Sequence, residues 1–509
     1  MRDRCCGERS SYRGEETRVL HIIQRLSLGG AGRALIAGAK FSAQLGPFRH
    51  KVISLLGPDR RAVRLAQEGG VSVRARLSPA ELHDELAAAD IVHFHFWNSP
   101  QLRELLEADW PQMRSLLWCH TNCREPPHIL TRDLLDRVDF ALASTASTLS
   151  FVPFRDALER VALAPGGADF TRLDGFSAKL HPDFTIGHIG TLDFVKLHPD
   201  FIAMSAAIAV PSVRFVIAGD GRDRAKLEQQ VQCTDRPERF QFCGYTEDIR
   251  PLLETFDVFG YPLAEGNVTT AELILQEVMF AGIPAVVFPH GGAADLVVNN
   301  ETGLIARDPT EYTRMIEHLH AHPAERARLG GNAAERARQC YGAHNTASKL
   351  NVVYRDLLSK PKRKRPYVST PVPDGALGAC ALVRSLASSG GDFLASMISP
   401  DEEAAFAAEA RIAGLATGLM RDIVLEYRYH YPYDPWLQLW AGLVLAGRGH
   451  PALAASEFFR CLRHGCKHWR VFWYLAQAAR QAGSSAIADQ ALDAARSRVP
   501  RSKRKLIGA

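Results

Sequence analysis

Between Asp257 and Ala285 the chain reads DVFGYPLAEGNVTTAELILQEVMFAGIPA, and its polar residues are spaced for holding an anion. Thr269-Thr270-Ala271-Glu272 has the form of a capping box, in which a threonine hydroxyl accepts the amide three residues on and Glu272 reaches back. The apolar run after it, stopped by Gly282 and Pro284, predicts a short helix. Val258 to Tyr261 predicts a strand, so the helix N-terminus stands just past a strand's C-terminal end. Free N–H groups and the helix dipole favour phosphate there. Glu277 falls on this helix among apolar neighbours. A carboxylate at that place is either a solvated face residue or an acceptor for ligand hydroxyls.

Two further groups carry chemistry. Leu28-Gly29-Gly30-Ala31-Gly32-Arg33 follows the strand-like RVLHIIQ and precedes a helical run. That is the glycine turn of a dinucleotide-type unit, where backbone comes close to a ligand, although such turns also serve packing alone. His93 and His95 share a strand face and could chelate a metal, but no third ligand stands at a recognisable spacing, so no metal site is assigned.

The elements that must position these groups alternate strand and helix twice. Residues 18–170 read as one doubly wound parallel sheet, with polar groups including His120 at the strand C-terminal ends. Residues 171–183 read as a linker, and 184–359 as a second α/β unit ending in a return helix. A basic, proline-containing linker spans 360–378. Residues 379–500 lack strand runs and repeat in register over 34 positions, Gly449 matching Gly483, which predicts helix–turn–helix units of tetratricopeptide type that bind a partner protein. Residues 1–17 read as a disordered polar leader and 501–509 as a basic tail.

The chain has 509 residues and a net charge of +5. The basic run 360–365 and the tail together carry more positive charge than that, so the rest is net acidic and a nucleic-acid-binding face is not expected. The basic segments are expected to be solvated, with anionic lipid as the other reading. The ten cysteines are scattered without paired metal spacing, and there is no long apolar run or signal-like start. These point to a cytoplasmic protein, peripheral at the inner face of the membrane if the basic segments touch lipid.

Positions 18–359 resemble the retaining glycosyltransferases of family 4, which have the GT-B architecture of two facing Rossmann-like domains. The resemblance rests on GGAGR at 29–33, VHFH at 92–95, IGHIGTLDFVK at 186–196, VRFVIAGDG at 213–221, FCGYTEDI at 242–249, DVFGYP at 257–262, LQEVMFAGIPAVV at 275–287, GGAAD at 291–295 and ETGLIA at 301–306. It implies transfer of a sugar from a nucleotide-diphosphate sugar to a glycan, lipid-linked or protein acceptor, without a metal cofactor. The chain also lacks the D-x-D by which the other large glycosyltransferase fold holds its metal-diphosphate. By resemblance, Lys196 neutralises the diphosphate, helped by helix N–H groups near Thr270 and Ala271. Glu277 accepts the ribose hydroxyls, Gly29 and Gly30 let the facing domain approach the donor, and His120 contacts the transferred sugar. Three positions depart from the family pattern. Thr191 stands where the family has a phosphate-binding Arg. Thr269 stands where it has the first of two glutamates, leaving Glu265 or Glu272 to take that place. Gly166 stands where it has Asn, although Gly167 and Asp169 match. On these departures rests a second reading, a catalytically weak glycosyltransferase-like scaffold whose helical repeats bind a partner.

Overall fold

The computed structural model describes residues 16–365, 373, 375–415 and 418–507. The expected leader therefore lies outside the described residues up to position 15, and Thr17 already opens the first strand. Seven strands form the first sheet: β1 Thr17–Ile23, β2 Phe48–Ser54, β3 Ser72–Ala75, β4 Ile91–Phe96, β5 Ser115–Cys119, β6 Phe140–Ala143 and β7 Val161–Leu163. Their order is β3-β2-β1-β4-β5-β6-β7, all parallel. The runs IVHFHF and SLLWC are buried at every position, because helices cover both faces of a parallel sheet.

The second sheet has β8 Phe184–Ile189, β9 Val213–Ala218, β10 Phe240–Gly244, β11 Val258–Tyr261, β12 Ala285–Val287 and β13 Gly303–Ile305. Its order, β10-β9-β8-β11-β12-β13, again reverses beside the first strand. Ligands of such sheets bind at that reversal. Two helices follow, Pro309–Ala321 and Pro323–Cys340, divided because Pro323 supplies no N–H to continue the first. The return helix Gly342–Leu358 crosses to the first domain and packs on the helix Gly30–Leu45. Leu350 and Tyr354 from it join Val19, Trp118 and Leu273 in one buried cluster that ties the two domains.

After Leu377 the described chain is helical. Helices begin at Pro435 and Trp469, and their partners at Pro451 and Ser485, so the 34-residue register of the sequence is also a register of helices. Gly449 and Gly483 close the turns at φ of 75° and 78°. Helices Glu402–Ala413 and Gly418–His430 precede them, where the sequence suggests another pair.

The helical region docks on both α/β domains. His430 Nε2 meets Glu104 Oε2 at 2.8 Å and Arg384 meets Glu107 at 3.2 Å on the first domain, while Arg222 of the second domain meets Asp422 at 2.6 Å. The basic run, expected to be solvated, packs on the first domain. Arg363 pairs by backbone with Met113, Lys362 Nζ donates to the carbonyls of Ala87 and Ala89, Lys364 meets Asp109, and Arg365 meets Asp139. These contacts strap the run to the first domain. Among the described residues, no helix is long and apolar enough to cross a membrane.

Candidate active site

A cleft of about 790 Å³ opens between the C-terminal edges of the two sheets. From the first domain it is lined by Leu28 to Ala31 and Arg33 after β1, Trp97 after β4 and His120 after β5. The second domain adds Gly190, Thr191 and Lys196 after β8, Gly219 and Asp220 after β9, and Thr269 to Ile274 after β11. The loop before Glu272 bridges the halves. Thr269 pairs with Thr121, Asn122 N donates to Val268 O at 2.9 Å, and Thr270 Oγ1 donates to the His120 carbonyl at 3.1 Å.

The glycine turn leaves room where the sequence predicts it. No atom lies within 4 Å of where a Cβ on Gly30 would be, and one on Gly29 would meet only Ser27 Oγ, at 3.5 Å. The tight glycine of this turn is Gly32, where a Cβ would fall 2.0 Å from the Ser27 carbonyl oxygen. Across the cleft, Gly219 at φ 134° lets its backbone pass the Gly190 carbonyl, which a Cβ would meet at 1.8 Å.

The helix after β11 runs from Leu273 to Phe280, four residues later than the threonine that was to cap it. Its N-cap is Glu272, at φ 35° and ψ 60°, a left-handed conformation that costs a non-glycine residue about 1–3 kcal/mol. Thr269, Thr270 and Ala271 line the cleft as loop residues. No capping box forms, because the Glu272 carboxylate is engaged elsewhere. Lys196 Nζ meets its Oε2 at 3.0 Å, Tyr261 OH donates to the same oxygen at 2.5 Å, and Thr269 Oγ1 donates to Oε1. Burial pushes this carboxyl up, but Lys196 and the two hydroxyls outweigh burial and hold it below its ordinary range. The strained backbone is therefore kept by an ion pair at the cleft wall.

Glu277 does not line the cleft. It is fully buried one layer behind, with Arg33 Nη2 at 2.5 Å from its Oε1 and Arg172 Nε at 3.3 Å. Arg33 and Arg172 do line the cleft, so Glu277 orders two cations that face it. Glu277 Oε2 and Arg172 Nη2 are buried without a hydrogen-bond partner among the described residues. Buried polar atoms of this kind are costly to leave unpaired. Gln276, which the sequence does not single out, clasps the domain crossing. Its amide takes Ala168 N at 3.1 Å and donates to Gly166 O at 2.8 Å.

Of the residues expected at the site, His120, Lys196, Gly29, Gly30, Thr191, Thr269, Thr270 and Ala271 are brought together. Glu265 is not. It is exposed beside Gly266, whose φ of 75° makes a turn pointing the segment away, and Glu272 is the carboxylate in the cleft. Arg172 was missed because it lies in the stretch read as a linker, where nothing local marks it.

Residues 183–322 match the family described as glycosyl transferases group 1. D-inositol 3-phosphate glycosyltransferase of Corynebacterium urealyticum is 23% identical over 54% of this chain and 73% of its own length. GDP-mannose-dependent alpha-mannosyltransferase of Mycobacterium tuberculosis is 31% identical over 24% of this chain and 29% of its own. In three dimensions the chain is similar to HepE of Anabaena, solved in complex with UDP and glucose, at TM-score 0.53 and 18% identity over 67% of this chain and all of that one. A glycosyltransferase from Rickettsia africae aligns at TM-score 0.57 and 13% identity over 68% of this chain and all of its own. Both solved structures share the arrangement of two facing sheets. The chain thus has the GT-B fold of two facing parallel sheets, and its second domain carries the match to glycosyl transferases group 1.

Proposed function

We propose that the chain is a retaining glycosyltransferase that moves a sugar from a nucleotide-diphosphate sugar to a hydroxyl of a glycan, lipid-linked or protein acceptor, its own side chains supplying the charge that departure of the diphosphate needs. The observation that carries this reading is the set of cations at the cleft. Lys196, Arg33 and Arg172 converge there, beside the open glycine turn, on a space of about 790 Å³. A departing diphosphate gains negative charge at the bond that breaks, and prearranged cations in a partly dry cleft stabilise it without reorganising. Arg33 and Arg172 also restore positive charge that Thr191 does not provide.

Glu277 supports the reading through the two arginines it holds at the cleft wall, and not through a contact of its own with the ribose. Both oxygens of Glu272 are occupied by Lys196, Tyr261 and Thr269, so this carboxylate is held as the lysine's partner and not as a free nucleophile. Retention then follows from attack on the face the diphosphate leaves, with the departing phosphate oxygen taking the acceptor proton. His120 lines the cleft beside the Thr270 loop, which supports a contact with the sugar. The names of the relatives include a GDP-mannose-dependent enzyme, and HepE was solved with UDP, which supports a nucleoside diphosphate leaving group.

The test is incubation of the full chain with a panel of UDP- and GDP-sugars and simple sugar acceptors, with the product anomer read by NMR. Transfer with the anomeric configuration kept supports the reading. An inverted product overturns retention, and no transfer or hydrolysis from any donor overturns the enzyme.

A further inference from the structure

Behind His120 a file of polar side chains runs into the core of the first domain. His120 Nε2 meets His95 Nδ1 at 2.8 Å, His95 Nε2 meets His21 Nδ1 at 2.9 Å, and His21 Nε2 meets His50 Nδ1 at 2.8 Å. His50 Nε2 then meets Ser42 Oγ at 3.0 Å, and Ser42 Oγ donates to Asn351 Oδ1. The rings come from the end of β5 and from β4, β1 and β2, four neighbouring strands. All six side chains are buried, His120 being the most exposed at 7%. A file of four imidazoles inside a sheet has no packing rationale that apolar residues would not satisfy at lower cost.

Burial lowers the pKa of every ring in the file, to about 3 for His50 and His120, so each is neutral at pH 7 and carries one N–H. The direction of the file can therefore be read from its inner end. Asn351 Nδ2 lies 3.2 Å from the Ser42 carbonyl, which only accepts, so the amide nitrogen must face it and Oδ1 must face the hydroxyl. Ser42 Oγ thus gives its proton to Asn351 and accepts from His50 Nε2–H. His50 Nδ1 is then an acceptor and takes the Nε2–H of His21. By the same step His21 Nδ1 takes the Nε2–H of His95, and His95 Nδ1 takes the Nε2–H of His120. Each ring has its proton on Nε2, and Nδ1 of His120 is the nitrogen left over at the cleft.

We propose that Ser42, His50, His21 and His95 are positioning residues that fix His120 in its Nε2–H form, so that its Nδ1 meets the cleft as a hydrogen-bond acceptor for a hydroxyl of the bound sugar. The second half of this inference rests on the sugar-transfer reading above; the tautomer itself does not. A ring locked this way selects a donor group and rejects a sugar lacking the hydroxyl at that place, whose absence leaves Nδ1 unpaired. A metal is the competing use of the same rings. His21, His93 and His95 each offer one ligand atom, all within 4.8 Å of one another. Yet His21 and His95 spend both nitrogens in the file, and His93 Nε2 alone of the three is without a partner. A bound ion would have to break the file to form.

The experiment is long-range proton–nitrogen NMR on the full chain labelled with ¹⁵N-histidine, with His120→Gln used to assign the His120 signals. The wild type is expected to show His120 with a single Nε2–H form. Ser42→Ala, a small change inside a helix, removes the acceptor that orients His50 and should bring up the Nδ1–H form of His120, while Ser42→Thr restores the wild-type pattern. Transfer should fall about tenfold in Ser42→Ala, the scale of one neutral hydrogen bond, with no further loss when Ser42→Ala is added to His120→Gln. An Nδ1–H form in the wild type, an unchanged tautomer in Ser42→Ala, or one equivalent of zinc in the purified chain would overturn the proposal. The expected tautomers in a chain that transfers no sugar would overturn the catalytic reading and leave the positioning one standing.

Discussion

Lys196→Ala removes a cation of the cleft wall and leaves Glu272 a buried carboxylate without its charge partner. We expect turnover from the best donor to fall by at least about 10²-fold, measured as initial rate of sugar transfer. Glu277→Ala should cost a similar factor for a different reason, since it frees Arg33 and Arg172 from the anion that aims them. Glu277→Gln keeps the volume and separates the two contributions by its smaller rise in donor KM. Lys196 and His120 were legible through the resemblance to family 4, and the threonines also through their place just past a strand end. The sequence also marked Glu277, but not that two arginines stand between it and the cleft. Those arginines come from helix Gly30–Leu45 and from the crossing at Phe170–Leu173, and side-chain periodicity on one helix carries no record of what packs over it.

At the scale of the element, the turn after β1 depends on Gly32 more than on the two glycines beside the ligand. Gly32→Ala forces the Ser27 carbonyl away and should lower Tm by several degrees and raise donor KM, whereas Gly30→Ala meets open space and should leave Tm within about 1 °C, both checked by calorimetric scanning and donor titration. The strand–loop–helix form of 257–285 was readable from β-formers, glycine, proline and the apolar run. The capping box was not realised, because a threonine and a glutamate three apart satisfy the local pattern whether or not the carboxylate has a better partner. Here Lys196 and Tyr261, brought from β8 and β11, outcompete the backbone amides for Glu272. Tertiary charge pairing overrode a local rule at the cleft wall.

At the scale of the molecule, the two sheets and the helical repeat were legible, since period and strand–helix alternation are local properties. The docking of the helical region was not, because its ion pairs join residues far apart in the chain, such as Arg222 with Asp422. A chain ending at residue 376 is accordingly expected to lose stability in the body, read as a lower Tm of the remaining domains. Glu426, on the docked helix, accepts from Gln24 of the first domain, and burial there pushes its pKa up to about 7. A carboxyl raised on folding favours the fold most below its unfolded value and loses that advantage as pH rises through about 7. Glu426→Gln should therefore raise Tm relative to the wild type by about 2 °C at pH 8 and leave it unchanged at about pH 4, below the unfolded value.

All three scales meet in one claim, that the cations at the cleft hold a nucleoside diphosphate. Titration calorimetry of the full chain with UDP and with GDP tests it most directly. The account predicts one-to-one binding of at least one of them, weakened at least about tenfold by Lys196→Ala, the loss expected for a charge-assisted hydrogen bond. Binding of neither nucleotide, or binding that Lys196→Ala leaves unchanged, would contradict it.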